Sequence, residues 1–242
     1  MLESPLLPAI GGYINGEWTP GDTGNTFAVH NPATGALLAS VPAMAEAETE
    51  RAIAAARGTL ATPPSLSQRR KWLRDIAAAL LDHRDELGRI LTHEHGKPLA
   101  EARAEIDYAA GFFSYSANHV EALAPRELPE QSRGCAWTVH HSPMGVVGLI
   151  TPWNFPAAMI AKKLSAAIAA GCPAVIRPSS KTPLSMIALC QLLHEVVELP
   201  AGRVNLVTGP PDPIGAVLCG HPDVRAISFT GSTDIGRALV RQ

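Results

Sequence analysis

The stretch of sequence that decides the fold runs from residue 146 to residue 177 and reads VVGLITPWNFPAAMIAKKLSAAIAAGCPAVIR. A short apolar run, Val146–Ile150, is followed by a loop with two prolines, an alanine-rich segment and a second apolar run, Ala174–Arg177. Short apolar runs are typical of buried strands, and alanine-rich segments favour helix. The stretch therefore predicts a strand, a helix over residues 157–170, and a second strand.

The same alternation continues toward the end of the sequence. It predicts helices over residues 184–198 and 214–219 and from 233 onward, and strands over 204–208 and 226–230. Strand–helix units in succession, joined by short loops, predict an α/β fold with a mostly parallel open sheet and helices on both faces. Right-handed crossovers then bring the carboxyl ends of the strands to one edge, where ligands usually bind.

The residues before this core predict a different organisation. The first forty or so are rich in Gly, Pro, Asn and Thr, which indicates an extended arm with tight turns. Helices are predicted over residues 45–60, 67–95 and 99–124, and a further strand over 136–141. We therefore divide the chain into residues 1–135, an N-terminal arm and helical part, and residues 136–242, a strand–helix core.

Composition excludes several classes of partner. Lys and Arg number 20 against 22 Asp and Glu, a net charge of −2, so no basic excess is present to bind nucleic acid. The longest uncharged stretch, residues 145–161, is interrupted by prolines and an asparagine, which argues against a membrane span. The four cysteines show no paired spacing and the start shows no signal peptide, so we expect a cytoplasmic protein.

Each core strand ends in an unusual loop. Residues 151–156, TPWNFP, present the carboxamide of Asn154, which can donate to a carbonyl oxygen that gains negative charge. Residues 177–183, RPSSKTP, offer cations and hydroxyls that suit a sugar or a phosphate. A stiff turn, with Asn154 as a helix cap, explains the first loop equally well, and a solvated turn explains the second.

The remaining two loops are rich in glycine. In residues 208–215, TGPPDPIG, the two glycines let the backbone approach a planar group closely. In residues 229–236, FTGSTDIG, Gly231 and Ser232 open a helix whose free N–H groups suit a pyrophosphate. Each of these patterns is also found in ordinary surface connections, so neither loop is decisive alone.

Taken together, in order and spacing, TPWNFP, RPSSKTP and FTGSTDIG resemble the aldehyde dehydrogenase superfamily from about residue 13 to residue 242. HGKPLAEARAEIDYAAGFF and TPWNFPAAMIAKK look most like its succinate-semialdehyde dehydrogenase branch. The resemblance implies a Rossmann-like cofactor-binding domain that includes both parts of the chain, a small-molecule aldehyde substrate, and a homo-oligomer in the full-length form.

The resemblance also implies roles for single residues. Asn154 matches the side-chain half of the oxyanion hole, and Lys162 stands where an arginine of the succinate-semialdehyde branch pairs with the substrate's distal carboxylate. If the helix already includes Asn154, both lie on nearly the same helix face; a solvated helix surface is the alternative for Lys162. The expected cofactor contacts are Ile150, Trp153, Arg177, Pro178, Ser179, Ser180, Gly209, Gly215, Phe229, Gly231, Ser232 and Ile235.

The expected cofactor is NADP, with NAD as the alternative. Family members that prefer NAD often carry a carboxylate at the position matching Ser180, and that carboxylate would repel a 2′-phosphate. Here a hydroxyl replaces it, and Arg177 and Lys181 are near in sequence. Arg177 departs from the family's usual lysine.

Two residues that the family reaction requires are missing from these 242 residues. The nucleophilic cysteine and the general-base glutamate lie in GQxC-type and ELGG-type motifs downstream of the FTGS segment, and neither motif is present. We therefore expect that the catalytic domain is absent. Three interpretations stay open: a truncated or processed piece of an enzyme, a standalone nucleotide-binding protein, and a structural partner that completes an oligomer.

No metal site is expected. His93–His95 and His140–His141 lack the i, i+4 spacing that places two ligands on one helix face, so they are interpreted as a solvated helix end and strand-edge residues. Glu101, Glu105 and Asp107 are interpreted as a solvated helix face.

The 242-residue chain alone is expected to oxidise no aldehyde, because none of its cysteines lies in the nucleophile motif. An oxyanion hole stabilises a charge that a nucleophile must first create. The measurement is the absorbance of reduced cofactor with an aldehyde present. Steady production that is lost on mutation of one of the four cysteines would contradict this expectation.

Overall fold

A computed structural model of the protein describes residues 1–129 and 133–241. The strands in this part of the chain are β1 (Gly12–Ile14), β2 (Glu17–Thr19), β3 (Thr26–His30), β4 (Leu37–Pro42), β5 (Arg126–Leu128), β6 (Trp137–Val139), β7 (Val146–Ile150), β8 (Ala174–Arg177), β9 (Val204–Leu206) and β10 (Val224–Phe229). The α-helices are α1 (Glu46–Gly58), α2 (Leu66–Asp82), α3 (Arg84–His95), α4 (Leu99–His119), α5 (Pro156–Ala170), α6 (Leu184–Glu195), α7 (Pro211–Gly220) and α8 (Thr233–Arg241).

The central sheet has six strands in the order β10-β7-β8-β9-β1-β2. Strands β10, β7, β8 and β9 run parallel, and β1 and β2 continue the sheet in antiparallel pairing. The predicted α/β fold with a mostly parallel sheet is confirmed. The N-terminal arm, predicted only as an extended segment, contributes two strands to the central sheet, and Tyr13 of β1 pairs with Leu206 of β9.

Helices cover both faces of this sheet. Val147 and Leu149 of β7 pack into the larger apolar cluster with residues of α2, α4, α5 and α6. Val146 and Ile150 of the same strand pack into a second cluster with residues of α1 and α7. The alternation of side chains along β7 therefore separates two apolar layers, as a strand buried on both faces requires.

The predicted helix over residues 67–95 is two helices, because the chain leaves helical geometry at His83 between α2 and α3. The His83 imidazole lies 2.9 Å from the carbonyl oxygen of Ala79. The helix predicted over residues 99–124 ends as an α-helix at His119 and continues as a 3₁₀ turn, Val120–Leu123. Apolar spacing alone did not reveal either change.

The strand predicted over residues 136–141 is shorter, Trp137–Val139, and lies outside the central sheet. This strand, β6, pairs only with β5 among the described strands. The boundary that we placed at residue 135 therefore falls inside a hairpin, and the division into two parts stays a prediction. None of the helices in the described ranges is long and apolar enough to cross a membrane.

Candidate functional site

A cleft of about 430 Å³ lies at the carboxyl ends of the parallel strands. It is bounded by the loops after β7, β8 and β10 and by the starts of α7 and α8. Its lining residues are Ile150, Thr151, Pro152, Trp153, Arg177, Ser179, Ser180, Lys181, Pro211, Gly215, Phe229, Thr230, Gly231, Ser232, Ile235 and Leu239. The cleft brings together all of the predicted cofactor positions except Pro178 and Gly209.

Arg177, at the end of β8, ties two of the loops together. Its Nη2 donates to the Gly209 carbonyl at 3.0 Å and to the Ser180 hydroxyl at 3.2 Å, and that hydroxyl donates to the same carbonyl at 2.9 Å. The side chain is buried, and its Nε has no hydrogen-bond partner. Burial lowers the pKa of the guanidinium, although Asp212 opposes the shift. Arg177 is thus a buried cation whose hydrogen bonds hold the loops after β8 and β9 together.

Packing inside the protein leaves no room for a side chain at Gly209 or Gly231. Gly209 has φ +150°, and a Cβ there would lie 2.2 Å from the Met44 carbonyl oxygen. A Cβ on Gly231 would lie 2.4 Å from the Phe229 ring. Our prediction that Gly209 admits a planar ligand is therefore not needed to explain the residue, since the segment entering α1 already occupies that space.

Trp153 forms the outer wall of the cleft. Trp153 is 48% exposed, and its ring stacks on His95 at a centroid distance of 5.7 Å. The Lys181 ammonium lies 5.5 Å from the same ring. An exposed indole held by two neighbours in this way offers a flat surface for a ligand.

The entry to α8 is organised by Ser232. Its hydroxyl accepts from the Ile235 amide at 3.5 Å, and its carbonyl accepts from the Gly236 amide at 3.0 Å. The Ile235 side chain is 46% exposed and faces the cleft. The start of α8 and the apolar side chain of Ile235 thus lie side by side. The first could bind a pyrophosphate and the second could pack against a ring next to it.

Asn154 lies outside the lining of this cleft, on an exposed loop. Helix α5 starts at Pro156 and its N-cap residue is Phe155, so Asn154 precedes the helix. The alternative interpretation of Asn154 as the helix cap is therefore wrong. The condition under which Asn154 and Lys162 would share a helix face is also not met.

Lys162 lies in a separate groove of about 500 Å³ between α4 and α5. The groove is lined by Tyr108, Gly111, Phe112, Tyr115, Ser116, Lys162, Ser165 and Ala166. Lys162 is exposed, and Tyr108 and Tyr115 are 54% and 64% exposed. The neighbouring Lys163 instead donates to the Ser228 hydroxyl at 3.0 Å. Of the two lysines, Lys162 alone lines the groove.

None of the four cysteines lines the cleft. All four are free thiols; Cys172 and Cys190 are buried, Cys219 is half-buried and Cys135 is exposed. Burial raises the pKa of the Cys190 and Cys219 thiols, which disfavours the reactive thiolate. In the described ranges no cluster of three His, Cys, Asp or Glu residues is arranged to hold a metal ion.

Comparison with known proteins identifies the family. Residues 18–242 match the family described as the aldehyde dehydrogenase family. The chain belongs to the aldehyde dehydrogenase family. The resemblance drawn from TPWNFP, RPSSKTP and FTGSTDIG is thereby confirmed.

The relatives of this aldehyde dehydrogenase chain include enzymes named for semialdehydes. It is 44% identical over 232 residues to the glutarate-semialdehyde dehydrogenase of Pseudomonas putida, covering 95% of this chain and 48% of the relative. Over 231 residues it is 44% identical to the NADP(+) succinate-semialdehyde dehydrogenase of Escherichia coli, with 95% and 48% covered. A crystal structure of an oxidoreductase from Marinobacter aquaeolei matches with TM-score 0.96 and 53% identity, covering 100% of this chain and 51% of that one. The chain spans about half the length of these relatives.

Sequence reasoning missed the acidic residues behind the loops of this aldehyde dehydrogenase chain. Glu105, interpreted as part of a solvated face, is 4% exposed, and it forms an ion pair with Lys97. Glu94, interpreted as part of a solvated helix end, is 3% exposed. One signal in the sequence is that Phe155 and Pro183, which precede α5 and α6, have no side-chain acceptor for the first amides of a helix, so acceptors from elsewhere are required.

Glu94 caps α6 from the end of α3. Its carboxylate accepts from the amides of Leu184 at 2.7 Å and Ser185 at 2.9 Å, and from the Ser185 hydroxyl. Burial raises the pKa of Glu94 from its ordinary value of 4.5 to about 7, and these hydrogen bonds oppose the shift. The carboxylate of Glu105 adds to the rise.

Glu94→Gln is expected to change how stability depends on pH. Because the folded state holds a proton on Glu94 that the unfolded state has lost, the wild-type free energy of unfolding falls as the pH rises from 4.5 to about 7. The slope due to this group is at most about 1.4 kcal/mol per pH unit, and it vanishes above the folded pKa.

The measurement is urea unfolding of both proteins between about pH 5 and about pH 8. The free energy of unfolding of the wild type minus that of Glu94→Gln should decrease toward neutral pH and then level off. Glu101→Gln, which removes an exposed carboxylate from α4, is the matched control and should not reproduce the slope. A constant difference for Glu94→Gln would show that Glu94 is ionised throughout.

Proposed function

We propose that this chain is the NAD(P)-binding portion of an aldehyde dehydrogenase that oxidises a semialdehyde with a distal carboxylate, such as succinate semialdehyde, to a dicarboxylate. The single observation that carries the proposal is the cleft at the carboxyl ends of β7, β8 and β10. It combines a helix start, an exposed indole and two cations at the edge where such sheets bind dinucleotides. The cofactor accepts the hydride when it is bound; the residues of this chain hold and orient it.

The residues of the cleft fit the parts of such a cofactor. The start of α8 at Gly231 and Ser232 offers backbone donors and a positive dipole end to the pyrophosphate. Ser179 and Ser180 offer hydroxyls to the ribose. Ile150 and Phe229 form an apolar wall at the strand ends. Asn154, on the loop after β7, is proposed as the donor to the oxyanion.

The charges of the cleft favour NADP. The described residues that line it include Arg177 and Lys181 and no carboxylate. Arg177 is a buried cation at the wall of the cleft, and Lys181 is exposed beside Trp153. A 2′-phosphate would thus lie near two cations. Residue 180 is a serine, so no carboxylate is present there to bind the ribose hydroxyls of NAD or to repel the 2′-phosphate of NADP.

The chain is expected to bind NADP more tightly than NAD in titration calorimetry. Ser180→Glu should weaken NADP binding about tenfold or more relative to NAD, because it places a carboxylate beside the 2′-phosphate. Ser180→Ala is the matched control, since it also removes the hydroxyl that binds the Gly209 carbonyl but adds no charge. Equal or tighter binding of NAD by the wild-type chain contradicts the NADP preference, and binding of neither contradicts the proposed function.

The groove between α4 and α5 supports the choice of substrate. Lys162 lies there with the tyrosines at 108 and 115 and the serines at 116 and 165. A cation among hydroxyl groups suits a carboxylate at the far end of a short aldehyde. Lysine binds a carboxylate as a point charge rather than through a bidentate fork, so a weakened selection for the carboxylate is expected. The relatives named for glutarate and succinate semialdehyde are compatible with this choice.

Lys162→Met tests this assignment in an extended form of the protein that carries the catalytic motifs. The ratio of kcat/KM for succinate semialdehyde to kcat/KM for butyraldehyde should fall about tenfold, as expected for the loss of one charge-assisted contact. Lys163→Met is the matched control, because Lys163 binds Ser228 and does not line the groove. If the ratio does not fall, or falls equally in both variants, Lys162 is not the carboxylate contact.

The proposal extends to location and assembly. The four free thiols support a reducing cytoplasm. The edge strands of the β5–β6 hairpin, with Trp137 48% exposed, support a homo-oligomer of the full-length form, since exposed edges and aromatic side chains favour association.

A further inference from the structure

The loop that carries Asn154 is held from behind by a buried ion pair. Lys97 lies two residues after the end of α3, and its ammonium forms an ion pair with the Glu105 carboxylate of α4; the two side chains are 8% and 1% exposed. The same ammonium donates to the main-chain carbonyl of Asn154 at 3.2 Å and lies 4.5 Å from the centre of the Phe155 ring. One cation therefore contacts two successive residues of the loop.

The partner of that cation holds the other end of the loop. Glu105 Oε1 accepts from the amides of Ala157 at 2.9 Å and Ala158 at 3.1 Å. Pro156, the first residue of α5, has no amide hydrogen, and the N-cap residue Phe155 provides no side-chain cap. Glu105 thus satisfies the two amides at the start of α5 and places a negative charge at the positive end of the helix.

We propose that Lys97 and Glu105 are positioning residues for Asn154. Lys97 binds the main chain at Asn154, and Glu105 binds it at Ala157 and Ala158, so the segment that carries the Asn154 carboxamide is held on both sides of Phe155 and Pro156. The inference rests on the proposed function only in giving Asn154 the oxyanion as its target. A donor to an oxyanion must be in place before the charge develops, so a rigid loop is a functional requirement as well as a structural one.

A purely stabilising ion pair and a positioning pair make different predictions for one double variant. In Lys97→Met/Glu105→Gln no buried charge is left unpaired, and the glutamine carbonyl oxygen still accepts from the start of α5. The hydrogen bond to the Asn154 carbonyl is lost all the same. If the pair only stabilises the fold, the double variant behaves as the wild type; if the pair positions Asn154, the loop loosens although the fold is restored.

The experiment measures thermal unfolding and amide hydrogen exchange of the 242-residue chain, without nucleotide. The double variant is expected to keep most of the wild-type Tm, while exchange over residues 151–158 becomes about tenfold faster, the effect of losing one charge-assisted hydrogen bond. The Asn154 side-chain amide signals, assigned by their loss in Asn154→Asp, should shift or multiply. Lys97→Met should show the same exchange with a lower Tm, because it leaves Glu105 unpaired.

Glu101→Gln is the matched control, since it removes an exposed carboxylate one turn earlier on α4 and should change neither exchange nor the Asn154 signals. Wild-type exchange and Asn154 signals in the double variant would overturn the positioning role. If Lys97→Met does not fold, the double variant carries the test by itself. Failure to bind NAD or NADP in the separate titration would overturn the proposed function and leave this result standing.

Discussion

Helices α5 and α6 begin at the carboxyl edge of the parallel strands without a side-chain cap of their own, and the acceptors for their first amides come from other helices. The first amides of α5 bind Glu105, and the first amides of α6 bind Glu94. A buried amide without a partner costs about 1–3 kcal/mol, so these carboxylates are strong constraints on where the helices start. Both acids come from the consecutive helices α3 and α4: Glu94 lies in the last turn of α3 and Glu105 near the start of α4. The helical part of the chain thus sets the position of the loops after β7 and β8.

This arrangement separates charges of opposite sign across the loops. Glu94 and Glu105 are buried behind the loops. The charge of Glu105 is compensated by Lys97 and by the start of α5, whereas burial raises the pKa of Glu94. The cations Arg177 and Lys181 lie on the cleft side. The charges that line the cleft therefore favour anions, while the side chains of Glu94 and Glu105 are buried and do not line it.

Much of the sheet could be predicted from local sequence. The strands β7 and β8 were predicted with their observed bounds, because short apolar runs between prolines and glycines have few other interpretations. Most of the residues predicted to contact the cofactor lie in one cleft for a related reason, since the loops after parallel strands meet at one edge of the sheet. The break at His83 and the pairing of β1 with β9 were not predictable in this way. The pairing depends on a partner distant in sequence, which periodicity does not register, and the break at His83 lies between two segments that both keep helical spacing.

What the sequence by itself determined is the family, the α/β class and the loops that form the cleft, because these follow from apolar runs and short motifs read in order. Only the tertiary structure decided which acids matter. Glu101 and Glu105 stand one helical turn apart and look alike in sequence, yet only Glu105 is buried against the start of α5. Likewise, Lys162 and Lys163 are adjacent and face different surroundings. Helix packing selects one member of each pair, because burial and hydrogen-bond partners depend on the facing element rather than on the residue type.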